Sequence, residues 1–193
     1  PERISLFGVS FLPYFHLEIF EEISRHMEVN LFLINPSREF WGYIRSDREI
    51  VRRLERIKAG KGQEKLSPEE LYLEKGNSLL ASLGTMGRNF FAFILDCHAE
   101  EEDLFVEPGE ENILTSLQSD ILNLLDRGQE GDAKIIVDPN DKTIQIHSCH
   151  SPLREVEVLY DNLLAMFEED RELLPGEIMV MAPDIETYAP FIQ

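Results

Sequence analysis

Residues suited to chemistry are few and scattered. His147, Cys149 and His150 carry nitrogen and sulfur donors, with Cys97 and His98 upstream, and such ligands are those of zinc. A His-x-Cys-His spacing is not that of a finger, a ribbon or a His-x-x-x-His helix. On a strand His147 and Cys149 would share a face while His150 would not, so strand-end packing and capping is the expectation, with no metal. Gly60-Lys61-Gly62 hints at a phosphate loop, yet the Gly-x4-Gly-Lys-Ser/Thr pattern is absent and no strand precedes it. The acidic runs at residues 100–103 and 107–111 lack the Asp-x-Lys or Glu-x-Lys strand that orients water and metal in a nuclease. They read as a solvated connection around a short strand at residues 104–106.

Basic residues are more concentrated. Of 18 Lys and Arg, eight fall between Arg45 and Lys65. Residues 46–59 read as a helix capped by Ser46, with Ile50, Leu54 and Ile57 inward and Arg45, Arg48, Arg52 and Arg56 in a stripe. That stripe either faces DNA phosphates or forms a solvated face paired with Asp47, Glu49 and Glu55, the second being slightly favoured.

The elements that must position these groups begin with a strand at residues 3–11, closed by Pro13, then a helix at 16–26 with Leu17, Phe20 and Ile23 on one face and a buried strand at 29–34. A second strand–helix–strand unit is expected at the other end. Residues 144–147 follow the turn-forming Asp138-Pro-Asn-Asp141, Ser151 and Pro152 open a helix with Val156, Leu159, Leu163, Leu164 and Phe167 as its stripe, and 178–181 is an apolar strand. Both units read as right-handed crossovers in a parallel sheet. Between them, residues 69–73 suit a helical turn. Asn77 caps a helix at 79–95 whose inward positions are Leu80, Leu83, Met86 or Gly87, Phe90, Phe91 and Ile94, and Gly84 and Gly87 permit close approach of another segment. A last helix at 113–125 turns Ile113, Leu117, Ile121, Leu124 and Leu125 inward, and residues 128–132 and 138–141 form a hinge.

With 193 residues, 43% of them hydrophobic and 12 Phe, the chain can bury a core, and it shows no apolar run of membrane-spanning length. Two cysteines fit a reducing compartment and no secretory signal is visible, so a cytoplasmic location is expected; Pro1 in place of Met points to a processed or excised chain. A formal charge of −19 opposes duplex binding by the isolated chain, because phosphate contacts supply most non-specific affinity. Any DNA contact must be local or shared with partners.

The run "IHSCHSPLREVEVLYDNLLAMFEED" followed by "PGEIMVMAPDIETYAPFIQ" resembles the gamma subunits of exodeoxyribonuclease V, the RecC family of the bacterial RecBCD helicase–nuclease. "RISLFGVSFLPYFHLEIFEEISRHMEVNLFLINPSREFWGYI" and "NSLLASLGTMGRNF" resemble the same family, the likeness being weakest at residues 52–75 and 100–110. The resemblance implies an α/β, parallel-sheet architecture like that of P-loop NTPases and helicases but without a nucleotide-binding loop. Residues 1–138 would form the C-terminal part of a first helicase-like domain and 139–193 the start of a second. In active helicases of that superfamily, the turn equivalent to residues 35–41 senses nucleotide and stacks on a base. By that analogy Trp41 is a stacking platform and Arg38 a DNA contact; burial of the sole Trp against the next helix is the favoured alternative.

The resemblance implies a non-catalytic fragment that scaffolds DNA unwinding and strand guidance in double-strand-break repair and recombination. It has no cofactor, metal, nucleotide-binding or catalytic residues of its own. Arg38, Trp41, Arg45, Arg52 and Arg56 are its candidate DNA contacts. The implied partners are the helicase–nuclease beta and helicase alpha subunits and, in the full complex, single-stranded or forked DNA, with no membrane association. Two alternatives stay open: a nucleotide-hydrolysing helicase domain whose ATP site is completed elsewhere, and a pure protein-interaction module.

Overall fold

A computed structural model describes residues 3–59, 76–97, 99–127 and 134–192, and at 53, 54, 56–59 and 96 it describes the backbone alone. The Gly60-Lys61-Gly62 loop, the turn at 69–73, the hinge at 128–132, His98, and the side chains of Leu54, Arg56 and Ile57 lie outside the described residues. Cα proximity divides the chain into two compact units, Pro1–Thr143 and Ile144–Gln193.

The first unit opens with strand β1 (Arg3–Leu6), helix α1 (Tyr14–Ser24) and strand β2 (Glu28–Leu31). Gly8 turns the chain out of β1 because it adopts φ 68°, a left-handed conformation costly for other residues. The α1 stripe is as expected, with Leu17 buried and Phe20 and Ile23 half-buried. β1 and β2 pair in parallel with Arg3 opposite Glu28 and Leu6 opposite Leu31, and the Phe32 N–H extends the ladder to the Leu6 carbonyl at 2.9 Å. This sheet has two strands only, so the strand expected to be buried is half-covered, and beyond it Phe32 and Ile34 lie open. The chain is mixed α/β, with one small parallel sheet among the described residues.

Helix α2 (Asp47–Ala59) follows the Ser46 cap. The single helix expected at 79–95 is instead two, α3 (Ser78–Leu83) and α4 (Thr85–Asp96), broken at Gly84. A Cβ on Gly84 would lie 2.5 Å from the Leu80 carbonyl oxygen and 3.2 Å from the Trp41 ring. The break changes the face each half presents. Leu80 and Phe90 are buried as expected, whereas Leu83 and Met86 point to solvent. The segment brought close to Gly84 and Gly87 is the Trp41 ring.

Helix α5 (Ile113–Leu122) begins with a capping box between Asn112 and Thr115 and ends three residues early. Leu125 N–H reaches the Asp120 carbonyl at 2.8 Å and Leu124 N–H the Ile121 carbonyl at 3.3 Å, the two bonds of a Schellman motif. Leu124 holds φ 52°, where glycine is usual. Its side chain packs on the core cluster of Trp41, Ile44, Leu80 and Ala81, together with Phe91 and Ile121, which offsets the backbone strain. The fully buried face of α5 is Ser116, Ser119, Asp120 and Leu122, more polar than the leucine stripe expected, and Leu125 is 46% exposed. Residues 104–106 form no strand, and Leu104 and Val106 are exposed.

In the second unit, Ser151 Oγ accepts from Arg154 N–H at 3.3 Å and Pro152 occupies the first turn of α6 (Pro152–Glu169), as the sequence predicts. Its apolar stripe is only half-covered: Val156, Leu163 and Phe167 are intermediate, while Leu159 and Leu164 are exposed. A 3-10 turn (Pro175–Glu177), the short helix α7 (Ile185–Tyr188) and another 3-10 turn (Ala189–Phe191) complete it. The segments expected as strands at 144–147 and 178–181 carry no regular secondary structure, so the second strand–helix–strand unit is not formed. Neither segment finds a strand partner among the described residues, and Ile146, Met179 and Met181 stand in solvent.

Candidate nucleic-acid interface

Residues 35–49 leave β2 and lead into α2, and most of their polar groups are used within the fold. Asn35 Oδ1 accepts from Trp41 Nε1 at 3.0 Å and from the Ser37 N–H at 3.4 Å. Ser37 is wholly buried; its hydroxyl donates to the Leu122 carbonyl at 2.9 Å and accepts from the Glu39 N–H at 3.1 Å. Arg38 N–H reaches the same Leu122 carbonyl at 3.0 Å. The turn after β2 is thereby sewn onto the last residue of α5.

Trp41 is 2% exposed. Its ring lies over Phe91 with centroids 5.8 Å apart and planes 20° from parallel. Neither ring face is open to a base, and the indole N–H is already bonded. The Arg38 guanidinium pairs with Glu107, both partly exposed, a type of contact that adds little stability. Arg45 folds back onto its own backbone turn, donating to the Gly42 and Ile44 carbonyls at 2.9 and 2.7 Å.

Sequence reasoning passed over the most deeply buried cation among the described residues, Arg88 on α4. It is 4% exposed and donates to the Ile44 carbonyl at 2.7 Å and to Glu49 Oε1 at 2.9 Å. Glu49 closes a box with Ser46, accepting from the Ser46 N–H and hydroxyl at 3.0 and 3.1 Å while its own N–H reaches Ser46 Oγ at 3.4 Å. Burial opposes the Glu49 charge. The Ser46 N–H, the Arg88 guanidinium and the Ser46 hydroxyl outweigh it and hold the carboxyl below its ordinary value. The Ser-x-x-Glu spacing was the available signal for that box, but Arg88 carried none.

Arg48 and Arg52 remain. Both are exposed, one turn apart on α2, with no ion pair among the described residues. Like charges at i and i+4 disfavour a helix by a few tenths of a kcal/mol, so the fold gains nothing by placing these two side by side.

The other chemical candidates separate. His147 and His150 are exposed and Cys149 half-buried, and among the described residues no three His, Cys, Asp or Glu side chains gather as a metal-binding group. Of the acidic runs, Glu107 pairs with Arg38 and Glu110 with Arg127. Arg127 also donates to the buried Asp120 at 2.7 Å, and bonds to Asp120 and then Glu110 raise its already high pKa. Asp141 accepts from Thr143 Oγ1 and N–H and from the Ile113 N–H at 2.6, 2.8 and 2.7 Å; these bonds hold its carboxyl below the usual range. No described helix is long and apolar enough to cross a membrane.

A family model described as "RecC, N-terminal domain" matches residues 1–124. All of this chain aligns with the RecBCD enzyme subunit RecC of Escherichia coli strain K12, at 38% identity and over 19% of that protein. It aligns likewise with the subunit of the same name from Haemophilus influenzae at 35% identity over 19% of its length, and from Mycolicibacterium smegmatis at 32% over 16%. The chain thus spans about a fifth of the length of its relatives. On the family match and the full-length alignment of these 193 residues, the chain belongs to the RecC family of RecBCD enzyme subunits.

Proposed function

We propose that this chain is a non-catalytic scaffold within a RecBCD-type exodeoxyribonuclease V, holding and guiding a DNA single strand during unwinding in double-strand-break repair and recombination. The observation that carries this reading is the use of residues 35–49. Polar and aromatic groups of the turn at 35–41, which an active helicase would direct toward nucleotide or base, are here bonded inward, Asn35 to Trp41 and Ser37 to Leu122, and Glu49 beyond them is held by Arg88. Family membership over the whole chain supports the assignment to the complex.

On this proposal residues 1–138 close one helicase-like domain, its parallel strand–helix–strand opening being compatible with that architecture, and residues 139–193 begin another. ATP hydrolysis and nuclease chemistry belong to the beta and alpha subunits, which with DNA are the partners of the assembled, cytoplasmic enzyme. Arg48 and Arg52 supply the local phosphate contact, and Arg38 and Arg45 act mainly by shaping the turn.

Fluorescence anisotropy of a labelled oligonucleotide tests this directly. The chain should bind single-stranded DNA weakly at low salt. Arg48→Glu/Arg52→Glu should remove that binding, or make the slope of log affinity against log salt shallower by about 1.4, two phosphate contacts on a single strand. Absence of binding at low salt, or binding unchanged in the double variant, would reject direct contact through α2.

A further inference from the structure

Residues 100–111 lead from α4 to α5 without helix or strand, and they carry seven carboxylates and no Lys or Arg. Two of the seven are bonded to arginines that meet at the C-terminal end of α5. Glu107 pairs with Arg38, whose own N–H reaches the Leu122 carbonyl at 3.0 Å. Glu110 pairs with Arg127, which also holds Asp120 of the same helix end. Between the two glutamates Gly109 has φ 84°, a conformation costly to other residues, so the link that separates them is specific to glycine.

Arg127 is fixed from behind, its Nε donating to the buried Asp120 at 2.7 Å, so its outer amino group keeps its place without Glu110. The glutamate side chains are 58% and 56% exposed, and ion pairs open to solvent are screened and hold weakly. Carboxylate and phosphate oxygens fit the same fork of guanidinium donors, so an anion of either kind can occupy these two arginines. We propose that Glu107 and Glu110 are a phosphate mimic, an autoinhibitory strap that a nucleic-acid strand must displace to reach Arg38 and Arg127. The proposal rests on the reading that this chain handles a single strand, and it adds a masked contact to the open one at Arg48 and Arg52. With the strap in place, Arg38 only shapes its turn.

Anisotropy of a fluorescein-labelled oligothymidylate on the full chain, across a salt series, tests this. Glu107→Gln/Glu110→Gln should raise affinity and steepen the slope of log affinity against log salt by about 1.4, two added phosphate contacts on a single strand. Glu101→Gln/Glu102→Gln removes the same charge from exposed side chains with no ion pair among the described residues, and it should leave the slope unchanged. Adding Arg38→Gln to the strap variant should take back about 0.7 of the slope, one contact. Circular dichroism verifies that each variant folds. An unchanged slope in Glu107→Gln/Glu110→Gln overturns the proposal by making the ion pairs a purely structural tie. An equal change in both glutamine pairs overturns it by making the effect one of net charge. Competition by polyglutamate as strong as by an unlabelled oligonucleotide of equal charge also overturns it, since the occupant is then an acidic polypeptide. The Arg48→Glu/Arg52→Glu background separates the strap from α2, because the gain on removing the strap should persist there. A parent that binds through α2 and gains nothing from the strap variant sinks the strap alone; a parent that does not bind, beside a strap variant that does, sinks the α2 contact alone.

Discussion

Trp41 and Arg88 decide at the residue scale whether residues 35–49 face ligand or core. Because Trp41 is the sole tryptophan and 2% exposed, fluorescence excited at the red edge, beyond tyrosine absorption, reports on it alone. Its emission should be blue-shifted, protected from acrylamide, and unchanged on titration with single-stranded DNA; quenching by DNA would mean the ring leaves its place on Phe91. Arg88→Leu should cost about 2 kcal/mol in urea unfolding, by removing the buried charged donor that the Ile44 carbonyl shares with Arg45 and that Glu49 shares with Ser46. The pH dependence has a definite sign. Glu49 has a folded pKa below its unfolded value of about 4.5, so its contribution is present above that value and disappears as pH falls through the folded pKa. The parent should lose part of its advantage over Arg88→Leu in that acid range. Ser46 as a cap was legible from type and position, since its role is local. Arg88 was not, because the partners of a buried arginine lie 39 and 44 positions away.

Elements were legible wherever one segment contains its own reasons. α1 follows from its apolar spacing, α2 and α6 from their serine caps, and the parallel pairing of β1 with β2 from the strand–helix–strand order. Failures came where tertiary contact overrode a local pattern. The 79–95 periodicity is continuous, yet Trp41 presses against Gly84 and the helix divides there. α5 stops at a Schellman turn with leucine in the glycine position because Leu124 contributes to the core. Gly84→Ala isolates this effect: better helix propensity favours it by about 1 kcal/mol, but its Cβ would lie 2.5 Å from the Leu80 oxygen. Steric crowding should win, with a net loss of about 1–2 kcal/mol in chemical denaturation; a stabilised variant would show that the break is not enforced by packing. The strands expected at 144–147 and 178–181 failed for another reason. A strand needs a neighbour, and the described residues supply none.

At the scale of the whole molecule, a strongly acidic chain of two compact units exposes Arg48 and Arg52 side by side on α2. Family membership could be read from motifs spread along the sequence, whereas the contacts of the candidate DNA residues could not, since they depend on which side chains the fold turns inward. The central claim is that this family segment handles a strand without taking part in fuel chemistry. Its most direct test is steady-state ATP turnover by the assembled enzyme carrying Arg48→Glu/Arg52→Glu, titrated with single-stranded DNA. The account predicts that half-saturation moves to higher DNA concentration, several-fold or more at low salt, while the turnover rate at saturating DNA is unchanged. A lower maximal rate with half-saturation unmoved would contradict it, placing these residues in the catalytic cycle instead.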